Sequence, residues 1–225
     1  MTTSHLLQVP SANGDAIACA VALPATPGPA VVLIHEWWGL NDHIRKVAER
    51  LAAEGFVAFA PDLYRGQVAT NAADASALMT ALDWSRALAD LDGTLTAAAA
   101  HASTHGKVGV MGFCMGGALT FAAAARFGAR VGAAVPYYGI PPGYDPGTVT
   151  APLMAHFAVR DGWAKPELAV ACQTAVHAAG RSMELHVYDA DHAFANDTRP
   201  EVYNPAAAAL AWSRTVTFFR ERLRG

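Results

Sequence analysis

Cys114 stands in Gly112-Phe113-Cys114-Met115-Gly116-Gly117, between a β-rich run at 107–111 and an alanine-rich helical pattern ending near Phe127. A thiol at such a junction sits in a sharp, strained turn. A β-carbon at 112 or 116 would crowd the neighbouring strand and helix, so glycine is needed at both places. The helix beginning there aims its free N–H groups and positive dipole end at the sulfur, which favours the thiolate, the nucleophilic form. A glycine-rich turn around an inert, buried cysteine would use the same residues. A base and an acid elsewhere in the chain must separate the two readings.

Both are present. Asp161 follows an apolar run at 153–159, in Val159-Arg160-Asp161-Gly162. His192 follows a second run at 183–188, in Asp189-Ala190-Asp191-His192-Ala193-Phe194. The order Cys114, Asp161, His192 is the nucleophile–acid–histidine order of the α/β-hydrolase nucleophile elbow, with cysteine in the serine position. The imidazole serves as base to the thiol, and the carboxylate fixes its tautomer and orientation. Asp189 and Asp191 are rival acids, but as loop neighbours of His192 they read as solvated or capping groups. Glu36, in His35-Glu36-Trp37-Trp38-Gly39-Leu40, falls at the end of the first parallel strand and faces the same rim. Buried beside the thiol, its carboxyl would have a raised pKa and could exchange a proton with sulfur. The Trp37 and Met115 amides are placed to form an oxyanion hole. Two consecutive tryptophans cannot both turn inward from one short loop, so at least one of Trp37 and Trp38 is expected to line a pocket.

The elements that would position these groups follow from hydrophobic patterning. Residues 5–10 and 15–23 read as a hairpin through Asn13-Gly14-Asp15. Continuous apolar runs at 31–35, 56–60, 107–111, 131–135, 153–159 and 183–188 read as buried parallel strands. Helical patterns alternate with them: one capped at Asn41-Asp42 and running through Ala53, two within 72–102 separated near Asp83, then 114–127, 166–179 and 205–223. The alternation predicts an α/β protein, a mostly parallel central sheet with helices on both faces, as one domain over residues 1–225. Ligands of such sheets bind at the C-terminal strand ends, where all the candidate residues fall.

The composition excludes several classes. With a net charge of −3 and no basic stripe, the chain is not expected to bind nucleic acid. The three cysteines, Cys19, Cys114 and Cys172, are too few and too scattered for a disulfide framework or a Cys-x-x-Cys metal site. The nine histidines show no metal-ligand spacing. No run has signal-peptide or transmembrane character, so the expectation is a cytoplasmic protein without a membrane partner.

His35-Glu36-Trp37-Trp38-Gly39-Leu40-Asn41, Pro61-Asp62-Leu63-Tyr64, the Cys114 elbow, Tyr137-Tyr138-Gly139 and His192-Ala193-Phe194 together resemble dienelactone hydrolase (carboxymethylenebutenolidase) from about residue 5 to 222. The resemblance implies a monomeric, cofactor-free α/β-hydrolase that opens a small ester or lactone through Cys114, His192 and Asp161. It pairs the thiol with Glu36, whose carboxylate swings on substrate binding to take the thiol proton. It also makes Tyr137 and Tyr138 pocket residues. Two departures concern substrate binding. The family's dienelactone enzymes hold the substrate carboxylate with two arginines. One lies four residues after the histidine, where this chain has Asn196. The other lies in a helical stretch matching residues 67–85, which here contain neither Arg nor Lys, with Arg65 and Arg199 as candidate substitutes. A thiol sensor without catalysis, or an acyltransferase, would use the same centre.

Overall fold

The computed structural model describes residues 3–224. Eight strands form one sheet: β1 (His5–Pro10), β2 (Ala16–Ala22), β3 (Gly28–Ile34), β4 (Val57–Pro61), β5 (Thr104–Phe113), β6 (Val131–Tyr137), β7 (Leu153–Arg160) and β8 (Met183–Asp191). Their spatial order is β1-β2-β4-β3-β5-β6-β7-β8. The hairpin β1–β2 joins β4 antiparallel, and every pairing from β4 to β8 is parallel. Among the described residues there are six α-helices: α1 (Asp42–Ala53), α2 (Ala72–Ala81), α3 (Trp84–Ala100), α4 (Met115–Arg126), α5 (Pro166–Ala178) and α6 (Pro205–Arg222).

The alternation of side chains along each strand divides the apolar residues between two cores. On β3, Ala30, Val32 and Ile34 face one layer with Leu91 and Leu95 of α3 and Leu119 of α4. Val31 and Leu33 face the other, with Ile44, Val47 and Leu51 of α1 and Phe219 of α6. A strand covered on both faces must be apolar at every position, which is why these runs lack the polar alternation of a half-exposed sheet. Cys19 and Cys172 belong to the first core and are buried, free thiols.

Helix boundaries follow side-chain caps. Asn41 accepts from the Ile44 amide at 3.2 Å and starts α1. Asp83 accepts from the Ser85 and Arg86 amides and divides α2 from α3. Several strands run further than the hydrophobic pattern indicates, β5 among them at both ends, and two of these extensions matter for the site. β6 continues through Pro136 to Tyr137, and β8 continues to Asp191, so Asp189 and Asp191 lie on an edge strand rather than in a loop. Arg160 of β7 pairs with both, reaching Asp191 at 3.1 Å, and this occupies the two rival acids.

The turn between β5 and α4 is built by backbone contact. A β-carbon on Gly112 would lie 2.3 Å from the Gly116 carbonyl oxygen, one on Gly116 2.4 Å from the Ile34 oxygen, and one on Gly139 2.1 Å from the Cys114 oxygen. Cys114 is held at φ 55°, a left-handed conformation costly for a residue with a side chain. Gly116→Ala is therefore expected to destabilise the fold by about 2–3 kcal/mol in chemical denaturation. Gly162→Ala, where the added carbon meets nothing within 4 Å, should stay within about 0.5 kcal/mol of wild type.

Candidate active site

The C-terminal ends of β3, β5, β7 and β8 bring the candidate residues to one cavity of about 270 Å³. Glu36, Cys114 and His192 all contribute to its wall. His192 donates from Nδ1 to Asp161 Oδ2 at 2.6 Å. Asp161 Oδ1 in turn accepts from the amides of Trp163 at 2.9 Å and Ala164 at 2.8 Å. Burial works against the Asp161 charge, but the His192 bond and charge and these two amides outweigh it. Its pKa lies below the usual carboxylate value. The aspartate is therefore an anion that fixes one tautomer of His192, a ring that lines the cavity, and leaves Nε2 as its acceptor nitrogen.

Cys114 is 8% exposed. Burial, followed by the negative charges of Glu36 and Asp161, raises its pKa; the Met115 and Trp37 amides face the sulfur and oppose the rise without cancelling it. This reverses the sequence-based expectation that the helix end alone would favour a thiolate. In the resting site the sulfur is a protonated thiol beside a carboxyl group.

Glu36 is 2% exposed. Burial raises its pKa, opposed by the charges of His43, His192 and Arg199 and by a hydrogen bond from Asn196. Asn196 Nδ2 donates to Glu36 Oε2 at 2.7 Å, and Asn196 Oδ1 is itself fixed by the Thr198 amide and hydroxyl. From the other side His35 anchors the loop. Its Nε2 accepts from the Leu63 amide at 3.2 Å, so its Nδ1 carries the proton donated to the Glu36 carbonyl oxygen at 2.6 Å. The loops after β3 and β4 are thereby tied together under the carboxyl group.

Backbone strain gathers at this rim. Besides Cys114, Tyr138 (φ 35°) and Ala193 (φ 65°) are in the left-handed region, each just past a strand end. Trp37 and Trp38 both line the cavity, half-buried, their rings edge to face with centroids 5.1 Å apart. Trp163 stands edge-on to His192 at 5.7 Å, and Met79 of α2 joins the same wall. Met79 and Trp163 carry no motif, and only the fold reveals them.

The two tyrosines lie elsewhere. Tyr137 points to the α6 face of the sheet, where its hydroxyl meets Thr215 Oγ1 at 2.7 Å, away from the cavity. Because β6 runs on to Tyr137, this side chain keeps the alternation of Ala133 and Val135 and packs into the core under α1 and α6. Tyr138 is buried behind the histidine, its ring edge-on to His192 at 5.1 Å, and supports the imidazole rather than lining the space. Arg65 is bonded to Asp90 at 2.8 Å and does not line the cavity, whereas Arg199 does.

Among the described residues no helix is long and apolar enough to cross a membrane, and no cluster of three His, Cys, Asp or Glu side chains could hold a metal ion.

Comparison with known proteins agrees with this geometry. The model of the dienelactone hydrolase family matches residues 17–223. The protein usf of Aquifex pyrophilus is 36% identical over 94% of this chain and 96% of its own. The carboxymethylenebutenolidase of Pseudomonas putida is 31% identical, with 94% of each chain covered. A crystal structure from Klebsiella pneumoniae subsp. pneumoniae, described as a candidate dienelactone hydrolase, superposes with a TM-score of 0.87. That chain is 29% identical, and 98% of this chain and 99% of that one are covered. The eight-stranded α/β-hydrolase sheet, the cavity at its strand ends and the family match together place this chain in the dienelactone hydrolase family, as a hydrolase of carboxylic esters and lactones.

Proposed function

We propose that the chain hydrolyses a small, uncharged ester or lactone by nucleophilic attack of Cys114. The observation that carries the reading is the hydrogen-bonded His192–Asp161 pair opening onto the same cavity as Cys114 and Glu36. In the resting site the thiol is held protonated, which protects it from oxidation and alkylation. When substrate enters, Glu36 takes the thiol proton, and the thiolate attacks the carbonyl carbon. The oxyanion that forms is met by the Trp37 and Met115 amides. Collapse breaks the acyl C–O bond, and His192 in its cationic form gives its proton to the leaving oxygen. The neutral imidazole then takes a proton from water, and the hydroxide attacks the acyl-thioester; the S–C bond breaks, the acid leaves, the thiolate recovers its proton from Glu36, and His192 is left cationic as at the start of the cycle. No cofactor enters the cycle.

The lining supports an uncharged substrate. Trp37, Trp38, Met79 and Trp163 give the cavity apolar walls. The residue four positions after His192 is Asn196, and its amide is spent on Glu36. Arg199 is the one Lys or Arg among the described residues lining the space, and its Nε and Nη2 both lie on Glu201 Oε1, at 2.8 and 2.7 Å. A substrate carboxylate would have to share that guanidinium with Glu201, so its charge would be only partly compensated.

Cys114→Ala is expected to abolish turnover of p-nitrophenyl acetate, and an undiminished rate would refute the nucleophile. Cys114→Ser should lose at least about 100-fold in kcat/KM, because the Glu36 environment is matched to a thiol rather than a far less acidic hydroxyl. Phenyl acetate should be preferred over 4-acetoxybenzoate by about tenfold or more in kcat/KM, the equivalent of about 1.4 kcal/mol for a partly compensated carboxylate. A preference for the carboxylated ester that vanishes in Arg199→Ala would overturn the assignment of an uncharged substrate.

A further inference from the structure

One aromatic side chain in the cavity wall is left largely in water. Trp163, in the loop from β7 to α5, is 46% exposed, the most exposed Trp, Phe or Tyr among the described residues. It nevertheless lines the cavity and is held at two points. Its amide donates to Asp161 Oδ1 at 2.9 Å. Its ring lies edge to face with His192, the centroids 5.7 Å apart and the planes at 89°. A residue of the core would have this surface covered. A fixed indole in a cavity wall offers apolar area whose burial by a ligand is favourable and costs little ordering.

The sheet order indicates which half of a substrate meets this ring. Cys114 follows β5, with β3 on one side of that strand and β6, β7 and β8 on the other. Trp37 and Trp38 follow β3, whereas Trp163 follows β7 and His192 follows the start of the β8 edge. In sheet order the nucleophile therefore stands between two aromatic walls of one cavity. When the acyl C–O bond breaks, the leaving oxygen takes the proton of His192 Nε2, the nitrogen not engaged by Asp161. Such a transfer needs that oxygen within hydrogen-bond reach of the imidazole. The group bonded to it then lies on the imidazole side, against Trp163, and the acyl group on the side of Trp37 and Trp38.

We propose that Trp163 determines specificity for the alcohol half of the substrate, selecting esters whose leaving oxygen carries a flat aromatic group that packs on the exposed indole. This inference rests on the Cys114 hydrolysis proposed above and names the substrate class of that site, an aryl ester. Aromatic pairs gain from their geometry as well as from the area they bury, so a flat ring is favoured over a short aliphatic group. The indole takes no part in bond making. The same ring braces His192, so its removal also has an effect common to every ester. The two effects separate by substrate, because only the first depends on what the leaving oxygen carries.

The test is kcat/KM for 2-naphthyl, phenyl and vinyl acetate in wild type, Trp163→Phe and Trp163→Ala. The ratio of wild type to variant cancels the intrinsic reactivity of each ester. In Trp163→Ala the loss for 2-naphthyl acetate should exceed that for vinyl acetate by about tenfold or more, with phenyl acetate between them. Trp163→Phe should recover most of it. Replacing acetate by butyrate should leave these losses unchanged within about twofold, since the acyl group lies elsewhere. An equal loss for all the esters would reduce the ring to a brace for His192, and a loss that follows the acyl group would put it at the wrong half. Either result overturns the proposal. Binding is read separately by titrating the protein with 2-naphthol and following the indole N–H signals by NMR, the Trp163 signal being the one lost in Trp163→Phe. That signal should shift, and Trp163→Ala should bind 2-naphthol about tenfold more weakly. An unmoved Trp163 signal in the presence of bound 2-naphthol, or undetectable binding, overturns the proposal as well. This arm needs no turnover, so a failure of the hydrolysis itself is told apart from a failure of the Trp163 assignment.

Discussion

A carboxyl group sealed from solvent beside a thiol is the constraint on which the rest of this site depends. Burying an ionised carboxylate costs several kcal/mol unless it is paired, so the surroundings of Glu36 decide whether it is acid or base. His35 pins the backbone carbonyl of Glu36 and Asn196 holds one side-chain oxygen, while the charges of His43, His192 and Arg199 favour the carboxylate. Among the described residues no Lys or Arg bonds the carboxyl group directly. Such adjustable contacts suit the change of position and protonation state proposed for it.

The same constraint explains the resting thiol. The end of α4 and the amides of Met115 and Trp37 favour an anion at Cys114, yet burial and the Glu36 charge outweigh them. Under the proposed mechanism, a site built this way keeps its thiol dormant until substrate changes the local charge balance. The scaffold sustains it through backbone contacts at Gly112, Gly116 and Gly139 that leave no room for a side chain, and through left-handed conformations at Cys114, Tyr138 and Ala193. Strain at three strand ends around one cavity is tolerated because the sheet beneath is covered on both faces.

Much of this was legible in the chain before any coordinates. Glycines at 112 and 116 are demanded by sterics, so the elbow could be read from residue type and spacing alone. Asn41 and Asp83 are caps with a local mechanism, and the helix starts fell where they indicated. Strand ends were less legible. Pro136 reads as a terminator, yet β6 passes through it, and Tyr137 follows the strand alternation into the core under α6 instead of turning to the cavity. The aspartates at 189 and 191 look like loop residues, but on the edge strand β8 their charge is met by Arg160 across the ladder. Asn196 was visible as a departure, but its bond to Glu36 spans 160 residues and leaves no periodic trace. The bond between His43 and Asp197, separated by 154 residues, was equally hidden.

The central claim is that a covalent acyl-thioester forms on one particular sulfur of the three. Rapid acid quench of the enzyme turning over a slowly hydrolysed aryl ester, followed by peptide mass spectrometry, addresses it directly. The account predicts an acyl mass increment on the peptide carrying Cys114 and none on those carrying Cys19 or Cys172. Burst release of the phenol with no increment on Cys114, or an increment on another residue, would contradict it.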